Sequence, residues 1–331
     1  MDNDDAIQAY DIAVLGGGVA ATICAYTLAK QGFGVAVLAE RSSLMHEIGL
    51  VGLHTPHLPE IAEQYEAVRD WYALMSSYQS YNGNSFDPVL VQLAADRYVE
   101  EQQVDVLFET SVVAVDAGEA HDERDGSGQL AVKLAWRGGV HRVRCRYVVD
   151  CSQHAALLAA RCPQSAMVER YVYRKLMTVN NAFFRGDERL TFELDGRTYQ
   201  ARIEPGRFGG LTITVASLCV ADKSELALAF MANLEQLFIR IQQLASIDIG
   251  DLVHVGEYEW STPPFVLPQT FERGIVATDR NYAGTGCWVD SIGRKVQSAA
   301  LWDKPGVAIS EQLKAGAETA MHVVDQIRLL G

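Results

Sequence analysis

Three small residues after an apolar run, Gly16-x-Gly18-x-x-Ala21, are the part of this sequence best placed to do chemistry. In that spacing Gly16 permits a tight turn and Gly18 lets a phosphate approach bare backbone. Ala21 leaves room for a helix to pack closely on a strand. A helix opening at Val19 and Ala20 would turn its free N–H groups and positive end toward a pyrophosphate. Glu40, about twenty residues further on, stands where a carboxylate can accept a hydrogen bond from a ribose hydroxyl. The pattern points to a dinucleotide, with a ligand-free glycine turn as the alternative.

Two further segments carry reactive side chains. The stretch from Arg41 to Glu60 holds His46, His54 and His57, and His46 adjoins a carboxylate, Glu47. A histidine there is a candidate acid–base group, a point of covalent cofactor attachment, or an ordinary loop side chain. The histidine spacing is not that of a metal site. The segment Asn281 to Lys295 reads as a long loop with Tyr282, Gly284, Thr285, Gly286, Cys287, Trp288 and Asp290. Cys287 has neither a nearby base nor a CxxC partner, so it reads as pocket lining rather than a nucleophile. Arg294 and Lys295 either neutralise an anionic substrate or sit in solvent.

The elements that must position these residues follow from periodicity. Ile12 to Leu15 form a strand, Val19 to Thr27 a helix stopped at Gln31-Gly32, and Val35 to Leu38 a second strand. Asp87-Pro88 opens a helix running to about Gln102, followed by a strand over Val104 to Phe108. Val112 to Val115, Leu130 to Trp136 and Val140 to Val149 read as a small antiparallel meander. From about Pro163 to Pro268 the character changes. Leu190 to Ile203 and Leu211 to Leu218 alternate, and one long helix follows. Asp222 and Glu225 make a capping box for it, and Leu226, Phe230, Leu234, Leu237, Ile241 and Leu244 make its stripe. The tail returns to a strand at Gly274 to Ala277 and a helix from about Pro305 to Leu329.

This arrangement resembles the FAD-dependent oxidoreductases grouped with the glutathione-reductase-like flavoproteins. Beyond the glycine turn, the resemblance rests on Val148-Val149-Asp150-Cys151-Ser152-Gln153, Val276-Ala277-Thr278-Asp279, Pro305-Gly306-Val307-Ala308 and Phe86-Asp87-Pro88. It covers roughly residues 10–160 and 270–325. It departs from the family in its missing third glycine, in Cys-Ser-Gln for Ala-Thr-Gly, and in Thr278 for glycine. The resemblance implies non-covalent FAD, with Gly16, Gly18, Val19, Ala20 and Ala21 at the pyrophosphate and Glu40 and Arg41 at the adenosine half. It implies that backbone groups of Val113 face the adenine and that Asp279 holds the ribityl chain or near phosphate. The helix beginning at Pro305-Gly306-Val307 would point at the flavin N1–C2=O edge, where reduced flavin carries negative charge. His46 is then the candidate proton acceptor, and Tyr282 and Trp288 line the catalytic pocket.

The implied fold is α/β: a Rossmann-type FAD-binding domain with an antiparallel meander, built from 1–162 and 269–331. A mainly β substrate subdomain, 163–268, is inserted in it. The expected activity is oxidation or hydroxylation of an organic small molecule, with dehydrogenase, oxidase and monooxygenase chemistry left open. A flavin-binding maturation or partner protein acting on a client is the alternative, and an NAD-dependent dehydrogenase leaves the late motifs unexplained. No second glycine fingerprint follows Gly18, so electrons would come from substrate, transient nicotinamide or a separate donor.

Composition narrows the partners. With a formal charge of −14 over 331 residues, the chain repels phosphate backbones and anionic membranes. Its six cysteines form no CxxC pair, and no secretory signal or spanning stretch is apparent, which fits a cytoplasmic setting.

Overall fold

The structure, a computed structural model, describes residues 7–49, 58–81, 86–117, 130–152, 170–178, 188–205, 211–219, 232–247, 252–261, 286–289 and 303–330. Two sheets organise them. In the first, β1 (Ile7–Leu15) pairs in parallel with β2 (Val35–Leu38), and β2 with β3 (Asp105–Leu107). On its other side β1 pairs in parallel with the C-terminal half of β6 (Gly139–Asp150). The N-terminal half of β6 instead pairs antiparallel with β5 (Leu130–Trp136), which pairs with β4 (Ser111–Ala117). One long strand is thus shared by a parallel sheet and a meander, and the meander folds over the parallel part.

Period-2 alternation fixes which face each residue serves. Ile12 and Val14 join a core with α1 (Val19–Lys30), α4 (Glu66–Ser77), α5 (Pro88–Glu100) and α7 (Asp303–Leu330). The short α2 (His46–Gly49) and α3 (Leu58–Gln64) complete that layer. Ala13 and Leu15 point the other way, into a core with Leu130, Val132, Leu134, Val143 and Cys145 of the meander. Buried on both sides, Ile12–Leu15 of β1 and all of β2 must be apolar, which is why these stretches read as unbroken hydrophobic runs.

The segment expected to be a loop at 281–295 contains a strand, β12 (Gly286–Val289), parallel to β6. β5 pairs with β6 as far as Cys145, and β12 pairs with Tyr147 to Asp150 along the same edge. Strand is favoured because that stretch of β6 would otherwise leave its backbone N–H and C=O groups unpaired. The expected strand at Gly274–Ala277 lies outside the described residues.

The second sheet is antiparallel, in the order β11-β7-β10-β9-β8. Its strands are β7 (Arg170–Thr178), β8 (Glu188–Leu194), β9 (Arg197–Pro205), β10 (Leu211–Cys219) and β11 (Leu252–Ser261). Asp195-Gly196, both at positive φ (48° and 71°), make the two-residue turn between β8 and β9, the Asp-Gly preference of a type I′ hairpin. α6 (Leu234–Ala245) covers this sheet through Leu237 and Ile241, against Tyr199, Ala201, Ile203, Ile213 and Val215. Leu244, expected on the same stripe, is 39% exposed. Asp222, Glu225, Leu226 and Phe230 lie outside the described residues. The α6 that is described takes Asn233 as its N-cap residue.

α7 and α1 lie side by side and parallel. Gly316 meets Ala20 near the start of α1, and a Cβ at Gly316 would run into the Ala20 carbonyl oxygen. Near the other end Arg328 donates to Gln31 at 3.1 Å. Residues 303–315 amount to about 20 Å of helix, and they continue past the N-terminus of α1. Among the described residues no helix is long and apolar enough to cross a membrane.

Candidate functional site: the glycine turn at the N-terminus of α1

Register brings the strand ends to one level. Leu15 stands opposite Leu38 of β2 and opposite Asp150 of β6, and Val289 of β12 stands opposite Asp150. The crevice outside the carboxyl ends of such strands is where open α/β sheets bind ligands. The glycine turn emerges there. Gly16 has φ +100°, and a Cβ on it would lie 2.8 Å from the Cys151 carbonyl oxygen. A side chain here is therefore excluded both by backbone conformation and by the neighbouring strand. Gly17 is equally confined, with the Ala39 Cβ 2.7 Å from where its own would be.

Neighbouring segments lock this turn. Gly16 N donates to the Leu38 carbonyl at 2.9 Å and Cys151 N to the Leu15 carbonyl at 3.0 Å. Asp150 accepts from the backbone N (3.0 Å) and hydroxyl (2.6 Å) of Ser152 and is fully buried. The Ser152 hydroxyl so closes the turn that the family resemblance assigned to Ala-Thr-Gly. α1 then starts at Val19 from Gly18, which as N-cap offers no side-chain acceptor, and no acidic residue lies in the first turn. Val19, Ala20 and Ala21 are all buried. The result is a helix N-terminus with positive potential, framed by glycine and given no acceptor by its own N-cap or first turn.

Glu40 follows buried Ala39 at the end of β2 and is itself exposed, free to accept from a ligand. Arg41, next to it, is half-buried. Thr110 N donates to the Ala39 carbonyl at 2.9 Å, which draws the start of β4 to the same side as Glu40. Val113, three residues on, is 63% exposed. It sits at the irregularity where β4 pairing with β5 skips from Val112 to Ala114, so its backbone groups are not committed to that ladder. These placements suit the adenosine half of a dinucleotide.

The segment after Arg41 returns to the turn. Met45 N donates to the Gly17 carbonyl at 2.8 Å, and α2 begins at His46. His46 is buried, and burial is the chief reason its pKa falls below the ordinary histidine value. Glu47 pulls that pKa back up, and Arg41 pushes it further down. His46 Nδ1 lies 3.7 Å from Glu47 Oε2. The sequence reading missed what Glu47 does. Its carboxylate is buried and accepts from Val19 N at 3.2 Å, the first donor of α1. Its Oε1 fills the space where a Gly18 side chain would go.

The remaining candidates divide. Trp288 lies in β12 opposite Val149, so its backbone belongs to the same strand-end level as the turn. Gly306 and Val307 lie within α7, which starts at Asp303. The Pro-Gly pair therefore sits in and just after the first turn rather than ahead of the helix, where proline costs no backbone donor that a helix start would use. The start of α7 extends beyond the N-terminus of α1. Tyr282, Asp279, His54 and His57 lie outside the described residues.

A dinucleotide cofactor fits the backbone of this cradle: tight glycine turn, positive helix N-terminus, and an exposed carboxylate at the end of β2. One feature conflicts, the Glu47 carboxylate on the first helix donor. Comparison with known proteins names the cofactor. Residues 11–164 match the family of FAD dependent oxidoreductases, enzymes that use FAD. No curated protein sequence matches the chain. Among solved structures, a flavoprotein/dehydrogenase from Cytophaga hutchinsonii is 13% identical with a TM-score of 0.55, over 96% of this chain and 79% of that one. A glycine oxidase from Geobacillus kaustophilus is 12% identical with a TM-score of 0.52, over 98% and 95%. An aklavinone-11 hydroxylase, solved with FAD and aklavinone, is 11% identical with a TM-score of 0.55, over 98% and 64%. At these identities the likeness is one of fold: a Rossmann-type α/β architecture with a separate antiparallel sheet.

Proposed function

We propose, from the match of residues 11–164 to the FAD dependent oxidoreductases, that this chain holds FAD non-covalently and oxidises or hydroxylates an organic small molecule. The observation that carries the reading is the glycine turn: matched by the family, built at the carboxyl ends of parallel strands, and leading into a helix whose first turn lacks any acidic side chain of its own. When bound, FAD supplies hydride acceptance or oxygen activation. Gly16, Gly18, Val19, Ala20 and Ala21 would hold its pyrophosphate, Glu40 and Arg41 its adenosine half, and Val113 its adenine. Asp279 would take the ribityl chain or near phosphate. The start of α7, with Gly306 and Val307, would set a positive helix end against the flavin, as in the glutathione-reductase-like group.

The protein's own groups do the rest. His46, held neutral by its burial, is the proton acceptor of the reading, and Trp288 and Tyr282 form the wall that excludes water. The discontinuous region 1–162 with 269–331 binds FAD, and 163–268 faces substrate. On the face of β9 and β10 away from α6, Arg202 and Thr214 are buried, and Arg202 pairs with Glu204 at 3.0 Å. That face offers hydrogen bonds and charge. With no second glycine fingerprint, reducing equivalents would come from substrate, from transiently bound nicotinamide or from a separate donor.

The test is direct. Purified protein should show a flavin absorption spectrum, and acid precipitation should release the yellow colour to the supernatant. A colourless protein that takes up no added FAD would end the reading. Colour retained in the pellet would replace non-covalent binding with a covalent link. Turnover on free small molecules, with no protein client added, separates the enzyme from a flavin-binding partner protein.

A further inference from the structure

Glu47 stands where the cofactor reading needs a phosphate. Helix N-termini in proteins are ordinarily capped by the side chain of the N-cap residue, but here that residue is Gly18, with no side-chain cap. The carboxylate that meets Val19 N comes from 28 positions later in the chain. It is 95% removed from solvent by the relative exposure of its residue, 5%. A buried carboxylate must be compensated, and the compensation is the positive end and free N–H of α1. Glu47 Oε1 occupies the volume left by the missing Gly18 side chain. A pyrophosphate would use that volume and that donor in the same way, so the two anions compete for one place.

We propose that Glu47 is a built-in surrogate for the cofactor phosphate: it caps α1 when FAD is absent, and FAD loads by displacing it. The inference rests on the FAD reading and adds a competitor to it. The attachment of α2 allows the exchange. Its backbone is tied down by Met45 N to the Gly17 carbonyl and by Ile48 N to the Met45 carbonyl, at 2.8 and 2.9 Å. Neither bond involves the Glu47 side chain. The bonds that tie the loop to the turn would therefore survive departure of the carboxylate from Val19 N. Left in place, the carboxylate would face a doubly charged pyrophosphate across a largely dehydrated gap, where repulsion is strong. The cap keeps the empty cradle ordered and lowers the apparent affinity for FAD, since binding must first remove an anion that already satisfies the helix.

The experiment uses the full chain stripped of FAD. FAD is titrated into the wild type, Glu47→Gln and Glu47→Ala, read by quenching of flavin fluorescence, and each protein is melted with and without FAD. Glu47→Ala should bind FAD about tenfold tighter, the size of one charge at a helix N-terminus. Glu47→Gln, which keeps an acceptor for Val19 N but loses the charge, should gain less. Without FAD, Glu47→Ala should melt below the wild type, and saturating FAD should remove that difference. Glu40→Ala, as an opposite control, should weaken FAD. If Glu47→Ala does not fold without cofactor, the Gln variant carries the comparison. Wild-type binding with equal or weaker binding in both variants would overturn the proposal and make Glu47 a support for the loop. If all three melt cooperatively and none binds FAD, the cofactor reading falls, and the surrogate with it.

Discussion

β1 and β9 treat burial in opposite ways. Every described side chain of β1 from Ile12 to Leu15 is apolar and buried, alternately under helices and under the meander. On β9, Tyr199, Ala201 and Ile203 are buried beneath α6, while Arg202 between them is buried on the opposite face and paired with Glu204. A strand covered on both sides has no face left for polar work, so its chemistry is pushed to its carboxyl end and into the turn that follows. A strand with a helix on one face can carry a buried, paired polar group such as Arg202 on the other. Ala216 of β10, on the same face as Thr214, joins the core of the first region, so the two regions meet on that face. The difference teaches where to look: backbone ends in the first sheet, side chains on a face in the second.

The largest effect should come from breaking the first kind of site. Gly18→Asp places a second carboxylate against Glu47 and the phosphate position. We expect loss of bound FAD by at least about 3 kcal/mol, the scale of an unpaired buried charge, in a protein that still folds. A folded variant retaining full FAD content would remove the turn from the site. Next in size is a cut in the second region. Ile241→Ala opens a cavity beneath α6 beside Tyr199 and Ile203 and should cost about 2–4 kcal/mol of stability. FAD content per folded molecule should hold. Should FAD affinity fall in step with stability, the two regions are one cooperative unit and the contrast drawn above fails.

How much of this was legible beforehand follows the same division. The glycine turn, β1, β2, the meander and the helix from Pro88 were readable because backbone requirements admit few residue types at fixed spacing. Gly16 at φ +100° has no substitute. The strand β12 was not readable, since four residues with one glycine carry little periodicity and are ordered by the open edge of β6. Glu47 was visible only as a neighbour of His46. Its role depends on the loop carrying it back to Val19 through the Met45–Gly17 bond, and nothing local encodes that return. Arg202 was hidden inside an alternating apolar run, because alternation reveals which residues share a face but not what covers the other one.

The smallest expected effect concerns His46, and it tests whether the cradle keeps a neutral imidazole next to its carboxylate. Burial is the main cause that lowers its pKa, Arg41 adds to the lowering, and Glu47, 3.7 Å from Nδ1, opposes it. The unfolded chain regains an ordinary histidine that protonates at about pH 6.5. Between that value and the lower folded one, the unfolded state binds more protons than the native state. Stability must therefore fall as the pH drops below about 6.5 and level off once the folded pKa is passed. The contribution cannot exceed about 1.4 kcal/mol per pH unit. Urea midpoints measured from pH 7.5 to 5 should decline more steeply in the wild type than in His46→Gln, the other histidines being common to both. Arg41→Gln should narrow the gap by raising the folded pKa, and Glu47→Gln should widen it by removing the charge that favours imidazolium. The same neutrality should let proton acceptance persist to a pH lower than an exposed histidine allows. Parallel midpoints for the wild type and His46→Gln would mean that the imidazole reaches solvent or a compensating partner when it protonates, and the His46 pocket would then be open rather than sealed against α1.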